Sequence, residues 1–350
     1  MSTIDSVIIT IFATIIIVPI IRYFAKRYKV IDLPGRRKVH HQAVPLMGGV
    51  AIYLGFLVGL LLNYDKIGFI LPVFVAGTII LVVGVIDDIR GLSPQLRLAA
   101  QLAAAIIILS FGFRITFFPN AIWGVGGEIL LTLLWIIGLT NAFNYLDGID
   151  GLAAGTTAIA AVFISMIAAL NQQPMLGLAG LLLASACLGF LPYNFSKNKM
   201  FLGDAGSTFL GFTIAAMALA GNWAEDSILR LSIPILILGV PIFDMVFTTV
   251  MRIREGKVHS VVGWLKYSGK DHFHHRLVDL GLRPLDAVFT ILLITIALGI
   301  NAVIISYSSG RFIGILSVMQ AAIILTLIAV LMVVGKRRRS GWNIQEKGGE

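Results

Sequence analysis

Apolar residues run through this chain in long blocks separated by short polar segments. Taking about 20 apolar residues as one bilayer crossing, the blocks predict eleven transmembrane helices, near residues 5–24, 46–63, 68–86, 98–113, 127–143, 152–170, 175–193, 207–222, 228–250, 285–306 and 311–335. The expected fold class is therefore an all-α polytopic integral membrane protein. Residues 1–335 form a single transmembrane helical domain, and 336–350 form a basic tail. The fourth block is short and Ala-rich and is the weakest of the eleven. The first has no preceding basic region and no small-residue cleavage site, so it reads as a retained anchor rather than a removed signal peptide. No internal repeat of solenoid period and no low-complexity tract interrupts the pattern.

An odd number of crossings places the termini on opposite faces. With the N-terminus outside, the inner segments 22–45, 87–97, 144–151, 194–206, 251–284 and 336–350 hold 23 of the 27 Lys and Arg. Only Lys66, Arg114, Arg230 and Arg311 remain for the outer side. Basic residues accumulate on the cytoplasmic side of multi-span proteins, so these loops and the C-terminus are expected to be cytoplasmic. The run Lys336-Arg337-Arg338-Arg339 after the last block agrees.

Composition adds what the pattern excludes. With 58% hydrophobic and 13% charged residues and a mean hydropathy of +0.93, most of the surface must face lipid rather than water. The net charge of +9 then has a topological cause, and a basic globular domain that binds nucleic acid is excluded. The single cysteine, Cys187, lies in an apolar block and rules out a disulfide framework or a Cys-based zinc site.

The acidic residues carry the chemistry. Asp87 and Asp88 end the third block, Asp147 and Asp150 lie in NYLDGIDG, and Asp204 lies in FLGDAGS, all on the inner side. His272, His274 and His275 of KDHFHHRL share that face. Carboxylates beside apolar spans are costly unless a cation neutralises them. Hard oxygen ligands suit Mg²⁺ or Mn²⁺, and Mg²⁺ is commonly held by one or two carboxylates plus substrate phosphates. The three acidic loops together predict a magnesium-diphosphate site, whereas an Asp-Asp pair alone is equally a solvated helix end. Gly148 and Gly151 flank Asp150, and Gly203, Gly206 and Ser207 surround Asp204. Such glycines at a helix start form a phosphate cradle, although GDAGS alone is also an ordinary capping turn.

Asn141, Asn144 and Asp147 recur at intervals of three and share one helix face. They could orient a sugar or nucleobase, with interhelical contact the alternative for Asn141. Asp244, inside a span, is expected to pair within the bundle rather than catalyse. The inner loop 251–284 holds seven basic residues and is suited to anionic headgroups or a nucleotide diphosphate. At most two of its imidazoles converge easily, so acid/base or phosphate-contact roles fit better than a metal site. In KVIDLPGRRKVHHQAVPLMGG, Lys38 and His40 are candidates for an anion-contacting flap, with topology alone as the alternative.

In order and on these loops, GVIDDIRGLS, NAFNYLDGIDGLAAG, FLGDAGSTFLG and DHFHHRL resemble the polyprenyl-phosphate N-acetylhexosamine-1-phosphate transferases of glycosyltransferase family 4. The resemblance runs from DLPGRRKVH through residue 280. It is closest to the WecA/TagO-like branch, which transfers N-acetylglucosamine 1-phosphate. The MraY branch typically carries three consecutive histidines and a lysine after the Asp pair, where this chain has HFHH and Arg90.

The resemblance implies transfer of GlcNAc-1-phosphate from UDP-GlcNAc to undecaprenyl phosphate, releasing UMP, at the cytoplasmic face of a bacterial inner membrane, as the first membrane step of a cell-envelope glycopolymer. It implies that Asp87 orients or deprotonates the lipid phosphate, that Asp88 and Asp204 hold Mg²⁺, and that Asn144, Asp147 and Asp150 line the nucleotide-sugar site. His272, His274 and His275 would contact substrate phosphates, with Asn194 and Arg276 as further substrate contacts. UDP-GalNAc or UDP-MurNAc-pentapeptide is the alternative donor, and a homodimer is among the oligomeric states it leaves open. SKNKM before FLGDAGS and the long SVVGWLKYSGKD depart from many relatives and bear on sugar specificity. A transporter is the rival from another class, but transporter sites lie near the bilayer midplane, often between repeats. A structural scaffold would not need three acidic loops on one face.

Overall fold

The computed structural model describes residues 1–34, 43–118, 121–196, 198–258, 269, 271–308 and 310–347. Lys38 and His40 lie outside them, as does most of the stretch before the histidine motif. Among the described residues the chain is all-α but for one two-residue ladder. The helices, in chain order, are α1 (Thr3–Arg27), α2 (Gly48–Leu61), α3 (Leu71–Arg90), α4 (Pro94–Ser110), α5 (Ile122–Leu146), α6 (Leu152–Leu170) and α7 (Pro174–Phe195). They continue as α8 (Gly203–Ala220), α9 (Ser227–Ile237), α10 (Gly239–Arg254), α11 (Phe273–Asp279), α12 (Pro284–Ser306) and α13 (Arg311–Lys347). Eight are long and apolar enough to cross a membrane, and α9 with α10 forms a bent pair that makes nine.

The second and ninth expected spans differ in shape, and the fourth is as short as its block. Helices α2 and α4 have 14 and 17 residues, or about 21 and 25 Å at 1.5 Å per residue, short of a 30 Å hydrocarbon core. The expected straight ninth span is two helices meeting at 80°. Pro241 explains the break. It has no N–H for the carbonyl of Ile237, the residue four back, and its ring crowds that carbonyl. Helix α13 also continues to Lys347, past the expected end of the last span near residue 335.

Burial sorts the helices into inner and outer positions. In α6, α7 and α8, 78, 72 and 83% of the membrane-length window is buried, against 22% in α1 and 28% in α5 and α13. Helix α8 is the hub and packs on α3, α5, α2 and α6. Its sequence, rich in Gly and Ala, lets neighbouring backbones approach, which is how helices associate where lipid removes the hydrophobic drive. The Trp135 indole N–H of α5 donates to the Ala215 carbonyl of α8 at 3.2 Å. The lipid-facing sides of α1, α12 and α13 carry exposed Ile, Leu and Phe.

One end of the bundle gathers the acidic loops. The antiparallel ladder β1 (Ile31–Asp32) with β2 (Val44–Pro45), in register Ile31 to Pro45, was not foreseen in an all-α chain. Phe201 donates its N–H to the Pro45 carbonyl, and Gly48 and Gly49 donate to the carbonyls of Phe201 and Leu202. The base of the 31–45 loop is thereby tied to the residues that introduce α8.

The opposite end is held by a buried carboxylate. Glu128 in α5 accepts the Phe117 N–H at 3.0 Å and pairs with Arg114 at 3.3 Å, fixing the α4–α5 connection. Glu128→Ala is expected to cost about 1–3 kcal/mol and lower the melting temperature in detergent, with Glu128→Gln costing less because its carbonyl keeps the Phe117 bond. Equal melting of Ala and Gln variants would contradict this.

Candidate active site

The site begins where α3 ends and α8 starts. Gly84 lets these helices touch, since a Cβ there would overlap the Ala205 Cα. Four residues further on, Asp88 reaches the start of α8. The Asp204 N–H donates to its Oδ1 at 2.9 Å and the Ala205 N–H to its Oδ2 at 3.2 Å. A carboxylate from α3 thus satisfies two of the orphan N–H groups at the α8 N-terminus and favours the positive end of that helix. Gly203 adopts φ +77° directly against the Asp88 carboxylate, a conformation that a side chain would resist.

With α8 held this way, the half-buried Asp204 side chain meets Asn144 of α5. The Asn144 Nδ2 donates to Asp204 Oδ1 at 2.7 Å and to Ser207 Oγ at 2.9 Å. Ser207 is buried and donates back to the Gly203 carbonyl at 3.0 Å, so its hydroxyl is part of the helix start rather than an open phosphate donor. Gly206 packs backbone to backbone on Gly49, again a structural position.

Asp87 is buried. Its Oδ1 accepts the Leu92 N–H at 2.6 Å and its Oδ2 accepts Arg97 at 3.1 Å. Both oxygens are engaged in shaping the α3–α4 turn, in contrast to the open orienting role the resemblance implies. Arg97 lies 3.9 Å from Asp204 and links the two acidic loops. It entered the sequence analysis only as one of the inner basic residues, although its place in the first turn after the Asp pair was a signal.

Asp147 follows the last turn of α5. Burial, then the neighbouring Asp204, Asp88 and Asp150, hold its carboxyl well above the usual range, which favours its neutral form. Asp150 is paired with Lys199 at 2.8 Å, which gives the departing SKNKM segment a role. Asn194 is buried, accepts the Gly151 N–H and donates to the Met200 carbonyl at 2.9 Å. It joins two loops and is not placed as a substrate contact. Asn141 donates to Gln101 of α4 at 2.9 Å, the interhelical alternative.

The histidine motif lies beneath the α5–α6 loop. His272 stacks on Tyr145 with ring centroids 4.6 Å apart, and its Nδ1 is 2.9 Å from Asp244. His274 is buried, neither ring nitrogen has a hydrogen-bond partner among the described residues, and it packs so closely on Gly148 that a Cβ there would overlap its Nε2. Its ring centroid is 4.1 Å from that of His275. Arg276 is buried too. It donates to the Asp271 carbonyl at 2.8 Å and lies over the Phe247 ring, a packing role in place of the expected substrate contact. Arg252 forms a buried bidentate pair with Asp271 at 2.9 and 2.7 Å. Burial pushes the Asp271 carboxyl up, but Arg252 outweighs it and holds the group below its usual range. Arg252, Asp271 and Tyr145 were not singled out from sequence.

Among the described residues no three His, Cys, Asp or Glu side chains form a ready-made metal cage. Asp88 and Asp204, with the Asp147 carboxyl beside them, nevertheless fit a hard divalent cation whose remaining ligands come from a substrate's phosphates. Each Asp88 oxygen keeps a lone pair beyond its backbone bond.

Residues 70–222 match the description Glycosyl transferase family 4, and the chain belongs to that family, as the loops and their order led us to expect. Among its relatives, the probable undecaprenyl-phosphate N-acetylglucosaminyl 1-phosphate transferase of Bacillus subtilis is 36% identical over 305 residues, covering 85% of this chain and 83% of the relative. The decaprenyl-phosphate N-acetylglucosaminephosphotransferase of Mycolicibacterium smegmatis is 34% identical over 364 residues, covering 93 and 86%. The undecaprenyl-phosphate alpha-N-acetylglucosaminyl 1-phosphate transferase of Escherichia coli is 28% identical over 301 residues, covering 82 and 79%.

Burial, reinforced by His275, pushes the His274 imidazole down to about 3. A group whose folded value lies below its unfolded value of about 6.5 contributes stability that is present above 6.5 and lost as pH falls towards 3. The loss is up to about 1.4 kcal/mol per pH unit. The melting temperature in detergent should therefore fall between pH 7 and pH 5 more in the wild type than in His274→Gln. Parallel curves would show that His274 is not held neutral.

Proposed function

We propose that this protein transfers GlcNAc-1-phosphate from UDP-GlcNAc to undecaprenyl phosphate, giving undecaprenyl-diphospho-GlcNAc and UMP. An oxygen of the lipid phosphate becomes bonded to the phosphorus that carries the sugar, and the bond from that phosphorus to the UMP oxygen breaks. The observation that carries the proposal is the junction of Asp88, Asp204 and Asn144 at the α8 start, set at the end of apolar helices where a prenyl tail can lie in lipid while its phosphate meets water. The names of the relatives supply the sugar and the lipid class.

Asp88 and Asp204 would hold Mg²⁺, for which Mn²⁺ is a substitute, and the ion would neutralise charge on the diphosphate. Phosphoryl transfer asks the protein chiefly for positioning and charge neutralisation. Asn144 fixes the Asp204 carboxylate, Arg97 brings a positive charge between Asp87 and Asp204, and the α5–α6 loop with Asp147 and Asp150 faces the nucleotide sugar. His272 and His274 support that loop from below. His275, Lys38 and His40 remain candidates for phosphate contact.

The membrane arrangement that fits this chemistry counts α2, α4 and the bent α9–α10 pair as crossings alongside the eight long helices. That makes eleven, with the N-terminus outside and the acidic end at the cytoplasmic face of the plasma membrane, where nucleotide sugars are made. The excess of basic residues on the same loops supports it.

Purified protein in detergent is expected to release UMP from UDP-GlcNAc only when Mg²⁺ and undecaprenyl phosphate are both present, with UDP-GalNAc and UDP-MurNAc-pentapeptide as comparison donors. Asp88→Asn and Asp204→Asn should each lower turnover by about 100-fold or more, several kcal/mol of transition-state stabilisation, with Asp204→Asn remaining folded because its side chain accepts no α8 N–H group. Near-normal turnover in both variants would remove the metal assignment. A preference for another donor would correct the sugar, and no release with any donor would overturn the transferase proposal.

A further inference from the structure

Helix α10 carries Asp244, Thr248 and Arg252 at four-residue spacing, so all three share one face, and all are buried. They meet the first residues of the histidine motif. Arg252 Nη2 donates to Asp271 Oδ1 and also lies 3.1 Å from His272 Nε2. A guanidinium has only donors, so His272 Nε2 accepts and carries no hydrogen. The ring hydrogen is then on Nδ1, which donates to Asp244 Oδ2 at 2.9 Å. Asp244 Oδ1 accepts the Phe273 N–H at 2.6 Å and the Thr248 hydroxyl at 3.2 Å. Both nitrogens of His272 are occupied, which leaves it neither a site to take up a proton nor a free contact for phosphate.

What His272 does offer is a face. Tyr145 stacks on it with an interplanar angle of 23°, and the Arg252 guanidinium carbon lies 6.0 Å from the centroid of the same Tyr145 ring. Tyr145 directly follows Asn144, the residue that bonds Asp204 and Ser207. We infer that Asp244 is a positioning residue for the transfer reaction. Through His272, locked as a neutral Nδ1–H imidazole, it fixes the surface on which Tyr145 rests and so the Asn144–Asp147 segment. This rests on the proposal that the segment belongs to the transfer site, and it moves His272 from the acid/base group expected from sequence to the scaffold of that site.

Asp244→Asn tests the chain of bonds with little change in volume. The amide oxygen keeps the Phe273 N–H, which turns the NH₂ towards His272. Nδ1 must then accept, the ring hydrogen moves to Nε2, and Nε2–H faces the Arg252 donors. Turnover of UDP-GlcNAc with undecaprenyl phosphate is expected to fall about 100-fold, the scale of a small misplacement at a reacting centre, with the KM for the lipid unchanged. His272→Gln should lose a similar factor. The double variant should be no slower than the slower single one, whereas independent roles would multiply.

The tautomer can be read directly by ¹⁵N NMR of histidine-labelled wild-type protein, with His272 assigned by elimination through replacement of the other histidines. Hydrogen on Nδ1 with a bare Nε2 is expected. Hydrogen on Nε2, or on both nitrogens, would overturn the inference even if the Asp244 variant failed to fold. So would multiplicative losses, or full turnover in Asp244→Asn while Asp88→Asn and Asp204→Asn are inactive. Full turnover in those two would instead remove the underlying site.

Discussion

The carboxylate of Asp88 against the first N–H groups of α8 is the interaction on which the acidic end of the molecule depends. A helix that starts inside a bundle leaves N–H donors that must find partners, and here the partner comes from a different helix, 116 residues away in sequence from the first of them. One contact joins α3 to the hub of the fold, sets the turn at Gly203, and leaves the Asp204 side chain directed to Asn144. The α8 dipole offsets part of the Asp88 charge, which helps two carboxylates share a small volume at the edge of an apolar bundle. Arg97 offsets a further part, and a divalent cation would favour the charged form of the carboxylates that burial disfavours.

A second layer lies beneath the first. Asp244, His272, Arg252 and Asp271 are buried, and their bonds run through α10, which reaches them only because the chain turns by 80° between Ile237 and Gly239. A straight ninth span would carry Arg252 along the bundle axis and away from Asp271. The bend therefore links backbone chemistry at one proline to the support of the α5–α6 loop, with Tyr145 on His272 and Gly148 on His274 as the two points of contact.

Much of this was legible in sequence because lipid imposes simple rules. Blocks of apolar residues gave the long helices, and the placement of acidic residues between them marked the end of the bundle where Asp88, Asp147 and Asp204 meet. The short length of α4 was legible in its block, but that of α2 was not, because an apolar residue continues past the last helical turn and composition does not record where hydrogen bonding stops. The bend in α9–α10 was hidden for a similar reason, since its proline sits in an unbroken apolar run. The bonds that Asp87, Asn194, Ser207 and Arg276 make within the protein were not legible, because motif membership does not say whether a polar atom faces substrate or its own backbone. Arg97 and Arg252 were overlooked because a basic residue on an inner loop already had a topological explanation.

On the proposed function, Asp88 and Asp204 form half of a cation site that the donor's phosphates complete. Mn²⁺ binding followed by electron paramagnetic resonance, with and without UDP-GlcNAc, tests it most directly. Weak binding to the protein alone, much tighter binding with UDP-GlcNAc present, and loss of that gain in Asp88→Asn and Asp204→Asn are expected. Equal binding with and without the donor, or an undiminished gain in both variants, would contradict it.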